Sequence, residues 1–270
     1  MITRIKGAGE LSRKLLTILV LSAITTSGYA VDNSIYIDQS GDNAIVTITQ
    51  DGAGNRVKGI VSGSPGQSTD AAKIYGDSVQ VAISQVGAGN SLALGINSTT
   101  ASAKSPTSVT YNVSGGGNMG IIDLNNAGTS GGNASSLVDI TQTGGGNTTR
   151  LAMLGSGNSL TAVQAGGNSS LLSIVNANDT TQNINTNGTG ADSVTTNLTG
   201  NNGTVNITTT NGGTNNIVVT QDNGGGTHAT TVSLNGAGNT VGIEQKGGDT
   251  TVNLQSRGAG NTFSISTNNR

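Results

Sequence analysis

The chain offers little to catalysis, because it has a single histidine and no cysteine. A Ser-His-Asp constellation would have to use His228 as its general base. His228 directly follows the glycine-rich segment 224–227, so we interpret it as a turn or surface histidine. The aspartates and glutamates are scattered without the paired spacing that glycoside hydrolysis needs. We therefore expect that the protein is not an enzyme.

Glycine-rich segments can also bind phosphates or calcium, and the sequence disfavours both ligands. A phosphate-binding loop joins a strand to a helix, and no helical pattern follows these glycines. Calcium-binding repeats place aspartate after the glycines, whereas these turns carry asparagine and only occasionally an aspartate such as Asp42 or Asp249. No cofactor and no metal are expected, and a calcium solenoid stays open as an alternative.

The side chains whose types and spacing do recur are amides. The phrase Gln-x-Gly-x-Gly-Asn occurs at residues 50–55, 85–90 and 142–147, and altered copies follow later in the chain. A carboxamide both donates and accepts hydrogen bonds, so equivalent amides in stacked repeats can form a ladder. We predict an inward amide ladder used in self-assembly, with the members Gln39, Gln50, Asn55, Gln85, Asn90, Gln142, Asn147, Asn158, Gln164, Gln245 and Asn261.

Short strands and tight turns must position these amides. Apolar and polar residues alternate before each turn, as at Val138, Ile140 and Gln142, which places these three on one face of a strand. Glycine and asparagine suit the turns that follow. Two strand-turn units make a coil of about 22–24 residues. The predicted fold is an all-β solenoid of stacked strand-turn-strand coils, which forms a single domain over residues 31–270. Aromatic residues make up only 2% of the chain, too few to build a conventional core. We expect amide ladders to take the place of that core.

The segment 1–30 differs from the rest of the chain. Basic residues precede the apolar run 15–24, and small residues lead to Ala30, which is the pattern of a secretory signal peptide. The apolar run is too short to span a membrane. Its removal would change the formal net charge from −2 to −5, which disfavours nucleic acid and anionic membranes as partners. We expect a secreted protein, extracellular or on the cell surface, without a membrane span.

Three regions depart from the regular repeat. Both prolines, Pro65 and Pro106, fall in residues 58–76 and 97–108, which we predict to be loops that leave the solenoid. Between residues 176 and 230 the Gln-to-Asn phrase is eroded, so the strand register is least defined there.

These repeats resemble the curlin repeat, which contains the same Gln-x-Gly-x-Gly-Asn core. The six-residue step from Asn158 to Gln164 and from Asn239 to Gln245 also fits that family. The resemblance implies amyloid-like stacking and a subunit of curli, the pilus-like extracellular fibres that serve cell adhesion and the biofilm matrix. The chain departs from the family in having only residues 31–33 between the predicted cleavage site and the first repeat, where curli subunits carry a targeting segment.

Two functions are compatible with this pattern. In the first, the protein is a structural fibre subunit whose partner is itself, together with a nucleating paralogue. The repeat starts at Ser34, close to Ala30, and the strand 263–266 has neither lysine nor proline, so both edges of the solenoid are expected to be open. In the second, it is a non-polymerising adhesin or virion-associated fibre protein that presents the predicted loops to a surface or glycan receptor. The eroded repeats favour this second function.

Overall fold

In the part of the chain that it describes, a computed structural model shows twenty-two strands, β1–β22 in chain order, which form two parallel sheets. No helix occurs in the described residues, and so none is present there that could cross a membrane. The structure describes residues 2–6, 16–23, 34–39, 44–51, 55, 57–58, 73–75, 79–87, 89–97, 107–115, 117–125, 136–188, 190–200, 202–212, 214–222, 226–236, 238–258 and 260–268.

Successive strands along the chain belong almost alternately to the first and the second sheet. The first sheet contains β1 (Ile2–Lys6), β3 (Ser34–Gln39), β5 (Val57–Lys58), β6 (Lys73–Tyr75), β8 (Leu92–Asn97), β10 (Gly120–Asn125), β12 (Thr148–Ser156), β14 (Ser170–Asn178), β16 (Ala191–Thr199), β18 (Thr214–Asp222), β20 (Val241–Lys246) and β22 (Phe263–Asn268). The second sheet contains β2 (Leu16–Ala23), β4 (Ala44–Asp51), β7 (Gln80–Val86), β9 (Thr107–Ser114), β11 (Ser136–Thr143), β13 (Ser159–Gly166), β15 (Thr181–Gly188), β17 (Gly203–Gly212), β19 (His228–Gly236) and β21 (Thr250–Arg257). Each coil adds one strand to each sheet, which makes the molecule a β-solenoid, as predicted.

The register confirms the predicted coil length in the regular part of the chain. Gln142 pairs with Gln164, and Gln164 pairs with Thr186, so two successive coils have the same length, at the lower end of the predicted range. The strands continue to stack over residues 176–230, where the register was expected to be least defined. Thr181 pairs with Thr204 in a coil only one residue longer, and a register shift is confined to Thr210 and the following residues of β17.

The core consists of apolar columns that run through the stack. Because alternate residues of a parallel strand point to the same side, register partners lie above one another on the inner face. One such column contains Val46, Val81, Val109, Val138 and Leu160, all of them buried. Each such side chain contributes about 1.5–3 kcal/mol when it is removed from water. Burial of these columns, rather than of aromatic side chains, holds the two sheets together.

An insertion divides one strand position of the first sheet. The short strands β5 and β6 both lie between β3 and β8, and the register resumes on the same line after residues 59–72. The predicted loops 58–76 and 97–108 were drawn too wide, because Lys58, residues 73–75, Asn97 and residues 107–108 lie in strands. Residues 59–72 and 98–106 lie outside the described part of the chain, so the loops themselves remain predictions. A third lengthened coil was not predicted: Val109 pairs with Val138, which is a wider spacing than between Gln142 and Gln164.

Two strands also fall within the segment 1–30. β1 pairs with β3 and β2 pairs with β4, in parallel, so this segment extends both sheets by one strand. Cleavage of residues 1–30 stays a prediction, and it would expose the edges of β3 and β4.

Candidate functional site: the buried amide columns

Asparagines at one of the two turns of each coil form a hydrogen-bonded column. We define the asparagine column as the turn position that follows each strand of the second sheet. Asn90 Nδ2 donates to Asn55 Oδ1 at 2.8 Å, and Asn118 Nδ2 donates to Asn90 Oδ1 at 2.8 Å. Asn147 Nδ2 donates to Asn118 Oδ1 in turn. All four side chains are buried, and Asn90, Asn118 and Asn147 each replace lost water by bonding to the coil before them.

The same position continues to the last described coil with two substitutions. Since Thr148, Ser170 and Ser193 are register partners, the residues preceding them, Asn147, Ser169 and Asp192, occupy equivalent turn positions. Asp192 then pairs with Asn215. Beyond it the amides resume: Asn239 Nδ2 donates to Asn215 Oδ1, and Asn261 Nδ2 donates to Asn239 Oδ1, each at 2.5 Å.

Glutamines on the second sheet form a neighbouring column near the same turn. Gln85 Nε2 donates to Gln50 Oε1 at 3.0 Å, and Gln164 Nε2 donates to Gln142 Oε1 at 2.7 Å. Between these two pairs the position is occupied by Val113. The glutamine column is therefore divided into two separate pairs.

Tyr111 compensates for this interruption. Its hydroxyl lies 3.0 Å from Gln85 Oε1 and 3.2 Å from the carbonyl oxygen of Met119. The ring lies against Gly120, where an added Cβ would be only 3.1 Å from the ring atom Cε1. Burial raises the pKa of the Tyr111 hydroxyl, so it remains a neutral donor. One aromatic residue thus satisfies the glutamine that lacks an amide above it.

The glutamines also hold the turns closed. Gln85, Gln142 and Gln164 each donate from Nε2 to the carbonyl oxygen six residues later, at 3.4, 3.3 and 3.1 Å. Gln245 makes the same contact, to Thr251 at 3.5 Å. This contact gives a physical reason for the fixed distance between glutamine and the glycine-rich turn, because the side chain must reach across that turn.

Gln245 nevertheless belongs to a different sheet from Gln85, Gln142 and Gln164. It lies on β20 in the first sheet, where it pairs with Gln221. Both donate to Thr230 Oγ1, at 2.9 Å from Gln221 and 2.8 Å from Gln245. Gln39 is also on the first sheet, opposite Ile74 in the register. The eleven predicted residues are therefore distributed over several columns rather than one ladder.

Asn158 occupies the opposite turn of the coil from Asn147. Its Oδ1 accepts a hydrogen bond from the backbone N–H of Ser136 at 3.2 Å. Asn147 instead donates from its side chain to the side chain of Asn118. In that turn position the next residues along the stack are Thr180, Gly203 and His228. This turn therefore carries no continuous amide column beyond Asn158.

The interpretation of His228 as a turn or surface histidine is wrong. It is the first residue of β19 and is only 1% exposed. Its register partner in the coil before is Gly203. Neither ring nitrogen has a hydrogen-bond partner, and burial lowers the pKa of His228. A neutral imidazole without a polar partner has no means of activating a nucleophile.

Several members of the columns were missed from the sequence. Asn118 follows Val113 instead of the expected glutamine, and Asn215 follows Thr209 with one additional residue between them, so neither completes the phrase. Gln182 is buried among the apolar columns, between Leu160 and Val205, without any repeat signal. The stacking register, rather than a local phrase, would have identified all three amides.

Charges are sparse around these columns. No group of three or more histidine, aspartate or glutamate side chains that could hold a metal occurs in the part of the chain that the structure describes. The ion pair between Lys246 Nζ and Glu244 Oε1, at 3.0 Å, is on the outer face of β20 and half-exposed, so it contributes little. The arrangement therefore suits stacking rather than catalysis, because the backbone of every coil offers hydrogen-bond donors and acceptors to the next coil.

Residues 134–166 match the family model of the curlin associated repeat. The chain therefore contains a curlin associated repeat over these residues. The match covers β11, β12 and β13 and includes both turns of one coil, with Gln142, Asn147, Asn158 and Gln164. Curlin-repeat proteins are structural rather than enzymatic and are associated with extracellular fibres. No curated protein and no solved structure matches the chain.

Proposed function

We propose that this curlin-repeat protein is a secreted subunit that self-assembles end to end into curli-like extracellular amyloid fibres, which serve adhesion and the biofilm matrix. Such a role needs a coil surface on which a second copy can continue the solenoid. The two exposed apolar side chains on β22 are the observation that carries the proposal.

These side chains belong to the core columns. Phe263 pairs with Val241 and Ile265 pairs with Ile243, and both partners are at most 2% exposed. Phe263 and Ile265 themselves are 42% and 46% exposed. They face the interior of the stack but have no described coil above them. An uncovered inner face of this kind favours contact with another copy that offers the same column pattern.

The strand edges and the asparagine column also favour a second copy of the chain as the partner. β21 and β22 are the last strands of their sheets, and their outer edges have no described neighbour. Unpaired edges of parallel strands accept further strands. Asn261 ends the asparagine column at this level, so a second copy would extend the amide column and the backbone ladder together.

Fibre formation by residues 31–270 tests the proposal. Purified protein should form seeded fibres with a meridional repeat of about 4.8 Å, visible by electron microscopy and fibre diffraction. Ile265→Lys, which places a charge on the inner face, should slow elongation. Ser264→Lys is the matched control, because Ser264 pairs with Gly242 on the outward side of the same strand. A stable monomer that cannot be seeded, or equal slowing by both variants, would refute end-to-end assembly.

A non-polymerising adhesin is the second candidate, and the divided strand β5/β6 favours it. The solenoid accommodates an insertion there without losing register on either side. A receptor could contact an insertion of this kind while the stack acts as a stalk. Deletion of residues 59–72 would then abolish attachment to host or abiotic surfaces, whereas fibre growth would be unaffected.

A further inference from the structure

Asp192 is an acidic residue in a column of neutral side chains. The other described members of the asparagine column are amides or, at one position, Ser169. A carboxylate has nearly the shape of a carboxamide but no N–H, so it can accept and cannot donate. Asp192 is also fully buried, which is rare for an aspartate without a partner.

The hydrogen bonds of the column are interrupted over the stretch that contains this residue. Neither carboxylate oxygen of Asp192 has a hydrogen bond of good geometry, and Ser169 Oγ also lacks one. On the other side, Asn215 Nδ2 donates to Thr209 Oγ1 at 3.3 Å instead of continuing the column towards Asp192. Asn147 Oδ1 also has no partner among the described residues, so the break spans three coil-to-coil steps, from Asn147 through Ser169 and Asp192 to Asn215.

No opposite charge stabilises an ionised Asp192. The strands in contact with β16 are β14, β15, β17 and β18, and the only charged residue they carry is Asp222, at the far end of β18 opposite Thr199. Asp179 lies in the exposed turn between β14 and β15. Both of these residues are acidic, so neither favours the carboxylate.

We propose that Asp192 is a proton-dependent switch within the stack: its protonated carboxyl donates to Ser169 and continues the asparagine column, and its ionised form interrupts it. The neutral acid supplies the O–H donor that the position requires, while its second oxygen becomes an acceptor for Asn215. The switch acts on the stability of the coils around β16 and is independent of whether copies assemble.

The pH direction follows from burial. Burial raises the pKa of Asp192, and the nearby Ser169 hydroxyl and Gly188 N–H offset this only in part. The folded state therefore holds the proton more tightly than the unfolded chain. The stabilisation is complete below the ordinary pKa of an aspartate, is lost as the pH rises through the folded-state pKa, and stays lost above it.

Hydrogen exchange measured by mass spectrometry on the whole protein tests the switch locally. Peptides covering β14 to β18 should show protection factors, corrected for intrinsic exchange, that fall on going from acidic to neutral pH. The fall should be about tenfold for each unit by which the folded pKa is raised. Asp192→Asn should remain protected at both pH values, because asparagine is the usual residue of the column. Asp179→Asn is the matched control and should behave like the unsubstituted protein.

Two outcomes would overturn the proposal. The first is a wild-type segment whose protection does not fall on ionisation, or falls equally in Asp192→Asn. The second is recovery of wild-type protection at neutral pH by added Ca²⁺ alone, with no recovery in Asp192→Asn, which would make the carboxyl a cation ligand instead of a proton switch.

Discussion

Replacing Asn118 by alanine removes one link from the centre of the asparagine column. The side chain donates to Asn90 and accepts from Asn147, and both neighbours are buried. In the variant, Asn90 Oδ1 loses its donor and Asn147 Nδ2 loses its acceptor. Because both groups are buried, neither can form a hydrogen bond to water unless the coils separate.

The expected loss follows from these two groups. A buried donor or acceptor that is left unsatisfied costs about 1–3 kcal/mol. Taking about 2 kcal/mol for each, Asn118→Ala should lower the free energy of unfolding by about 4 kcal/mol. For a chain of this size that corresponds to a decrease in Tm of roughly 8–16 °C.

Thermal and urea unfolding, monitored by circular dichroism, measure this loss on monomeric protein. Asn112→Ala is the control, because Asn112 lies on the adjacent strand β9 with its side chain exposed. Its effect should stay within about 0.5 kcal/mol. Equal effects of the two substitutions would mean that the amide column does not stabilise the fold, and that the apolar columns alone do.

Three other substitutions separate backbone from proton effects. Gly144 has a φ of 109°, and an added Cβ would lie 2.0 Å from the carbonyl oxygen of the glycine below it, so Gly144→Ala should cost about 2 kcal/mol or more in unfolding measurements. Gly242→Ala, with no atom within 4 Å of its Cβ, should be neutral or slightly stabilising, and a similar loss at both sites would contradict this explanation. His228 has a pKa lowered by burial, so its contribution is present above the ordinary pKa of about 6.5 and is lost as the pH falls below it. His228→Asn should therefore weaken the drop in Tm between about pH 7 and pH 5, and an unchanged drop would show that His228 is not its source.

The solenoid itself could be predicted from the sequence because its signals are local. Alternation within Val138, Ile140 and Gln142 defines the inner face, and glycines at the turn permit the positive φ seen at Gly144. The distance between repeated phrases then gives the length of a coil without reference to any tertiary contact. These features depend on neighbours along the chain.

The distribution of amides over different columns could not be predicted, because it depends on which turn a residue occupies. Each coil has two turns of similar composition, so Asn147 and Asn158 look equivalent in sequence although they lie on opposite sides of the stack. Gln164 and Gln245 share the same six-residue contact across a turn but sit on different sheets. The coils before Val138 contain insertions of unequal length, so counting residues between repeats does not show which of the two turns a residue occupies.

The burial of His228 and Asp192 was hidden for a related reason. Each follows glycine-rich residues, which normally indicate an exposed turn. Their burial follows from the register that stacks them on the coil before, with Gly203 beneath His228 and Ser169 beneath Asp192. That coil is a whole repeat away in sequence.

The amide columns have a direction. Asn90, Asn118, Asn147, Asn239 and Asn261 all donate to the coil that precedes them in the chain. Within each hydrogen-bonded run the amide dipoles therefore add along the axis, so a coil turns amide N–H groups towards the coil before it and amide oxygens towards the coil after it. Two copies joined by like ends would oppose donor to donor or acceptor to acceptor, whereas unlike ends match. A filament built from such subunits would be polar along its whole length, and its two tips would grow at different rates.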